Sequence, residues 1–388
     1  MERNLIDVLF SLLRFELGSG AALTEDEREL AINEIDALFG LSKAHDMEHL
    51  VADALSRQGL LVGDSEAVKK FGKAQMIALF RYERINYDYR EICRVLEESQ
   101  IEFLPLKGAL IRDFYPAPWM RTSCDIDILV REESLESAIS VLTDKLSFKW
   151  NGEREYHDVS LFSPGGVHLE LHFNLLENME NIDRILSHPW DFAMPCEGTC
   201  RYSFTNEFLL FHAVAHMSYH FVGGGCGIRP FIDLHLMEQK LDFDRQAFEE
   251  MLSECGLMKF YKAVRSLCLV WFEGEAHDEI TLEMERFIIT GGVNGNIKKG
   301  IAARQQRKGG KYAYILSRIF QPYDIMKQKY PILREKRYLL PFYQVKRWFS
   351  LVLGGKLSRL KREYEADKSI NAEQVNEMNA FLSKLGIK

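Results

Sequence analysis

The stretch Cys124-Asp125-Ile126-Asp127-Ile128-Leu129-Val130 constrains this chain more than any other. Its Ile, Leu and Val residues describe a β-strand with a buried face. Side chains alternate across a strand, so Asp125 and Asp127 share the opposite face. Two adjacent carboxylates repel one another, and burial disfavours both charges. A divalent cation removes both objections. The fold must therefore offer a sheet face on which further ligands can join these two.

A second strand can supply them. In "VHLELHF" the side chains of His168, Glu170 and His172 fall on one face. If the two strands are neighbours, Asp125, Asp127 and Glu170 converge. Hard oxygen ligands at that density suit Mg²⁺ or Mn²⁺. Two such ions can clamp the attacking and leaving oxygens of a phosphoryl displacement. Upstream, "PLKGAL" places Lys107 and Gly108 between a predicted strand and helix. Glycine lets backbone approach an anion closely, a helix N-terminus favours negative charge, and Lys107 adds a point charge. Arg121, just before the acidic strand, is a second candidate for phosphate.

Periodicity divides the chain into four expected regions. Residues 1–98 form an N-terminal helical region, with Gly40 ending one helix and Ser65 capping another. Residues 99–200 form a core with the order β-α-β-α-β-β over 101–175, its second helix starting near Ser134. Residues 201–280 are helical around the glycine-rich "VGGGCGIRP" and complete a cleft. Residues 281–388 are basic and mostly helical, broken at Pro322, Pro331 and Pro341. The expected class is α+β: a mixed sheet with helices, flanked by helical regions at both ends.

The ordered set is strand, Lys-Gly turn, helix, loop, Asp-x-Asp strand, helix and hairpin. It resembles the nucleotidyltransferase superfamily with a polymerase-β-like fold. More closely, "FLPLKGALIRDFYPAPWMRTSCDIDILV" followed by "VHLELHFNL" resembles an uncharacterised bacterial nucleotidyltransferase family. Lys107, Gly108, Tyr115, Arg121, Asp125, Asp127, Glu170 and His172 occupy its motif positions. Asp233, in the later "IRPFIDLHLM", matches an aspartate of the family's following domain. The wider superfamily has Gly-Ser where this chain has Lys107-Gly108, and many relatives have aspartate where it has Glu170.

The resemblance implies Mg²⁺-dependent transfer of a nucleoside monophosphate from ATP or another NTP to an unnamed acceptor. Asp125, Asp127 and Glu170 are then the catalytic and metal-binding set. Lys107, Gly108, Arg121, His172 and Asp233 are the nucleotide-binding candidates. The acceptor could be a small metabolite, a sugar, a protein side chain or an RNA end. A metal-dependent phosphohydrolase using the same carboxylates with His168 and His172 stays open. So does a non-catalytic nucleotide-binding regulator.

Bulk properties bound the setting. Hydrophobic residues make up 47% and charged residues 27%, ordinary for a globular protein. No apolar run reaches the roughly 18 residues of a membrane span. The N-terminus lacks the basic and apolar segments of a signal peptide. The seven cysteines show no paired framework, only Cys196 and Cys200 being close, so reduced thiols and a cytoplasmic location are expected. The net charge of −8 hides an asymmetry: residues 298–362 hold 18 Lys/Arg against Asp324 and Glu335 alone, leaving −24 for the remainder. This segment interleaves Tyr312, Tyr314, Tyr323, Tyr330, Tyr338, Phe342, Tyr343 and Trp348. It is expected to dock on the acidic remainder, an acidic acceptor, an anionic membrane surface or RNA. His212, His216 and His220 share one helical face and are weighed as a zinc site, as packing residues or as nucleotide contacts.

Overall fold

The computed structural model describes residues 2–293, 295, 298, 300–303, 316–317, 319–353, 370 and 372–387. The basic segment's Tyr312, Tyr314, Arg359 and Arg362 lie outside these residues.

Four helices open the chain: α1 (Glu2–Leu17), α2 (Glu25–Asn33), α3 (Ile35–Ala44) and α4 (Glu48–Arg57). Thr24 and Glu27 form a reciprocal capping box that starts α2. Gly40 does not end a helix. It lies inside α3, and the break falls between Asn33 and Ile35.

Ser65 caps α5 (Glu66–Glu98) by accepting from the Val68 N–H. Phe71, Ala78, Ile85 and Ile92 recur every seven residues, which keeps them on one buried stripe of this long helix. Phe71 joins the helical core, whereas Ile85 and Ile92 join the core under the sheet. One helix thus spans both cores and fixes one against the other.

The sheet follows from the alternation in the acidic strand. β1 (Phe103–Pro105), β2 (Asp125–Val130), β3 (Lys149–Arg154), β4 (Asp158–Phe162) and β5 (His168–His172) lie in the order β1-β2-β5-β4-β3. β2 and β5 run parallel with Asp127 opposite Glu170, and the other neighbours are antiparallel. Ile126, Ile128, Val130, Leu169 and Leu171 face α5 and α7 (Leu135–Leu146). Leu129, on the acidic face, packs into the helical core instead.

The observed order adds one strand to the expected β-α-β-α-β-β. The added β3 is an edge strand bearing one large apolar residue, Trp150, and it is bulged between Trp150 and Arg154. The helix after Lys107 is also shorter than its sequence suggests. α6 (Gly108–Ile111) is a single turn followed by a 3₁₀ turn over Arg112–Phe114.

Beyond the small hairpin of β6 (Ala193–Pro195) and β7 (Tyr202–Phe204), five helices build the opposite wall. They are α9 (Asn206–Val222), α10 (Arg229–Lys240), α11 (Arg245–Glu254), α12 (Met258–Cys268) and α13 (Glu279–Ile289), with α8 (Glu180–Leu186) preceding them. Their core also takes in Val8, Leu12 and Phe381 from near both ends of the chain.

In the basic segment, Pro322 and Pro331 each precede a helix, and Pro341 sits in the first turn of another, Leu340–Leu353. The segment docks on the sheet edge. Arg154 donates to the Gln328 carbonyl at 2.9 Å, and Lys329 and Arg334 pair with Glu155 and Glu132. Among the described residues no helix is long and apolar enough to cross a membrane.

Candidate active site

β2 and β5 present five polar side chains to one face: Asp125, Asp127, His168, Glu170 and His172. Ligand atoms of Asp125, His168 and Glu170 all lie within 4.8 Å of one another, and so do those of Asp127, Glu170 and His172. Glu170 belongs to both groups. The expected adjacency of β2 and β5 holds, and Glu170 points to the aspartate side. The three carboxylates do not themselves form one group of that tightness among the described residues.

The electrostatics separate the two aspartates. Burial opposes the charge on Asp127, yet Lys107 and His172 hold its carboxyl far below the usual range. Lys107 Nζ lies 3.3 Å and His172 Nε2 3.1 Å from the same oxygen, Oδ1. Asp125 goes the other way: burial, then repulsion from Asp127 and Glu170, raises it. Glu170 is lowered, first by His172, whose Nε2 lies 3.6 Å from its Oε2, against the effect of burial. Burial works against protonation of His172, but the two carboxylates win and push it up to about 9. Its Nδ1 is buried without a hydrogen-bond partner, while His157 stacks on the ring with centroids 5.4 Å apart.

The turn that carries Lys107 is conformationally demanding. Lys107 has φ 37° and ψ −108°, unusual for a residue with a Cβ. The Leu106 N–H donates to the Asp127 carbonyl at 3.0 Å and ties the turn to β2. A Cβ on Gly108 would stand 2.8 Å from Arg121 Nη1. Glycine is therefore set here by close approach of the arginine.

Arg121 itself is buried, and its Nε and Nη2 donate to the two carboxylate oxygens of Asp233 at 2.9 and 2.8 Å. Tyr115 Oη donates to Asp233 Oδ1 at 2.8 Å. Three residues marked from sequence as motif positions are thus brought together, and they clamp the sheet unit to α10. Arg229, at the start of α10, likewise reaches the sheet unit, donating to the Thr122 carbonyl at 2.7 Å.

α9 places His212, His216 and His220 opposite the sheet. His216 Nδ1 lies 2.6 Å from Glu177 Oε1, and its Nε2 lies 3.0 Å from His220 Nε2. Burial, then His216, lowers His212 and His220 to about 3, so both are neutral. These histidines are not among the metal-competent groups of the described residues, and the zinc reading finds no support there. Sequence reasoning missed Glu177 and His157. Glu177 follows β5 by five residues, and its signal was the first acid beyond the hairpin, ahead of a histidine-bearing helix.

Two cavities meet at this face. One of about 300 Å³ is lined by Lys107, Gly108, Arg121, Asp125 and Asp127, with α9 and α10 opposite. The other, of about 310 Å³, adds His157, Glu170, His172 and Glu177. Lys107, Asp125, His212, His216 and His220 border both. Each has the volume of a small-ligand site.

A family model described as an uncharacterised nucleotidyltransferase matches residues 33–273, more than half of the chain and inclusive of every residue of this face. No curated protein matches, and no solved structure matches. With its acidic pair on β2, its lysine turn and its parallel partner strand, the chain belongs to the uncharacterised nucleotidyltransferase family.

Proposed function

We propose that this protein transfers a nucleoside monophosphate from an NTP to a hydroxyl or amine acceptor, with a divalent cation and release of pyrophosphate. The observation that carries this reading is that Glu170 joins one tight group with Asp125 and another with Asp127, on one sheet face beside Lys107. The donor set fits Mg²⁺ or Mn²⁺: its carboxylates are hard ligands, and Asp125 is raised by burial and then by repulsion from Asp127 and Glu170, which a cation would relieve. When bound, the cation supplies positive charge to the phosphoryl oxygens and the leaving group.

The chain's own residues do the rest. Lys107 exchanges its contact with Asp127 for the triphosphate. Gly108 leaves room for backbone to approach it. Glu170 accepts the proton of the acceptor as its oxygen or nitrogen bonds to the α-phosphorus and the bond to the β-phosphate breaks. His172 orients Glu170 and Asp127, and the Arg121–Asp233 pair keeps the two walls in register.

One observation favours a second reading, metal-dependent phosphohydrolysis: a histidine completes each carboxylate group. Product analysis separates the two. The protein is incubated with each α-labelled NTP, Mg²⁺ and cell extract. A labelled acceptor with pyrophosphate supports transfer. Free nucleotide or phosphate as the sole product sinks it.

A further inference from the structure

The helix Leu340–Leu353 has two faces of opposite character. One is packed: Gln344 donates to the Gln321 carbonyl at 2.6 Å, and Arg347 and Trp348 both donate to the Ile319 carbonyl, at 2.5 and 2.8 Å. The other is bare. Phe342 and Phe349 are each 63% exposed, Val345 is 41% exposed, and Tyr338, one turn before, is 76% exposed. The spacing 338, 342, 345, 349 is that of a single helical stripe. Leu316, Ile319 and Phe320, on the neighbouring segment, are also exposed. Phe320 meets Trp348, the residue before Phe349, edge-on at 5.4 Å.

The charge around the stripe is predominantly positive. Residues 319–353 carry seven Lys/Arg against Asp324 and Glu335. Lys336, Arg337 and Lys346 are exposed. Lys346 lies over the rings of Tyr330 and Tyr343, and Arg337 lies over Tyr323, beside the apolar residues. An apolar stripe rimmed by cations and aromatic rings matches the boundary of an anionic bilayer, where acyl chains take the stripe and headgroups take the cations. RNA suits it less well, because Val345, Leu316 and Ile319 offer no ring for a base to stack on. The surface also lies outside residues 33–273, the part the family match accounts for.

We infer that this face is a peripheral membrane-binding surface for anionic lipid. It enters the headgroup layer through Tyr338, Phe342, Val345 and Phe349 without spanning the bilayer. The ion pairs of Lys329 and Arg334 with Glu155 and Glu132 then hold the catalytic sheet at the membrane.

The test is cosedimentation of the full chain with vesicles of phosphatidylcholine alone or of phosphatidylcholine with phosphatidylserine. Binding is expected only to the anionic vesicles, and it should weaken as salt is raised. Phe342→Ser with Phe349→Ser should cut it at least about tenfold. Charge reversal at Lys336, Arg337 and Lys346 should do the same. Arg347 is left intact because it is buried and bonded to Ile319. An unchanged thermal melt shows that each variant is folded. Failure of the wild type to bind, or binding indifferent to both variants, overturns the proposal. So does a wild type that dimerises through the stripe, or binds RNA, without binding vesicles.

Discussion

Lys107 Nζ and Asp127 Oδ1 stand 3.3 Å apart, so the ammonium holds the oxygen that a divalent cation would take. Removing the lysine should separate two affinities. In Lys107→Ala, Mg²⁺ affinity without nucleotide should hold or rise by up to about tenfold, because a competing charge is gone. NTP affinity should fall by about tenfold or more. Titration calorimetry reads both, and equal loss of both would mean the lysine has no separate phosphate role.

Asp125 and Asp127 should respond oppositely in stability, although the proposed transfer should require both. Asp125→Asn relieves repulsion from Asp127 and Glu170, and should be neutral or stabilising by about 1 kcal/mol. Asp127→Asn strips the counter-charge from Lys107 and His172 in a buried setting, and should destabilise by about 3 kcal/mol. Denaturant unfolding without metal measures both. Full transfer activity in either variant would sink the metal assignment.

His172 gives the site a pH dependence. Its folded-state value of about 9 lies above the ordinary imidazole value. The stability it contributes is therefore complete below about pH 6.5 and disappears as pH rises through about 9. A cation on Asp127 and Glu170 competes with that proton. Mg²⁺ affinity should thus rise between about pH 7 and 9, and His172→Gln should flatten the rise. A wild-type affinity flat across this range would remove His172 from the metal equilibrium.

The Arg121–Asp233 pair should act on stability first. It is buried and bidentate, so Asp233→Ala should cost about 3–5 kcal/mol by leaving the guanidinium unpaired. Tyr115→Phe, losing one hydrogen bond, should cost about 1 kcal/mol. Midpoints of urea unfolding check both. A small effect for Asp233→Ala, joined to weaker NTP binding, would mean that Arg121 works on phosphate.

The pairing of β2 with β5 was legible because alternation in each strand fixes its buried face, and a slip of one residue would bury Asp127 and Glu170 in the wrong core. Lys107 and Gly108 were legible as a turn, but not the contact of Lys107 with Asp127, which depends on an unusual backbone conformation. β3 escaped notice because Lys149, Asn151, Gly152, Glu153 and Arg154 carry no apolar alternation, and its pairing with β4 decides it. Arg121 and Asp233 were each marked by motif as nucleotide contacts. Their contact with one another spans 112 residues and leaves no local pattern. The contact of His216 with Glu177 escaped for the same reason.

The helical core closes on itself from two directions. Phe10 stacks on Trp271 with ring centroids 4.5 Å apart, and Phe287 packs on Phe381 at 4.8 Å. During synthesis, α1 therefore emerges long before the residues that cover it, and α13 waits for its partner in the helix Ala372–Lys384. Such distant pairings make folding slow and leave apolar surface open to chaperones in the interval. A nascent chain stopped after residue 273 would hold Asp125, Asp127 and Glu170 and still lack Phe287 and Phe381 from the wall that α9 leans on.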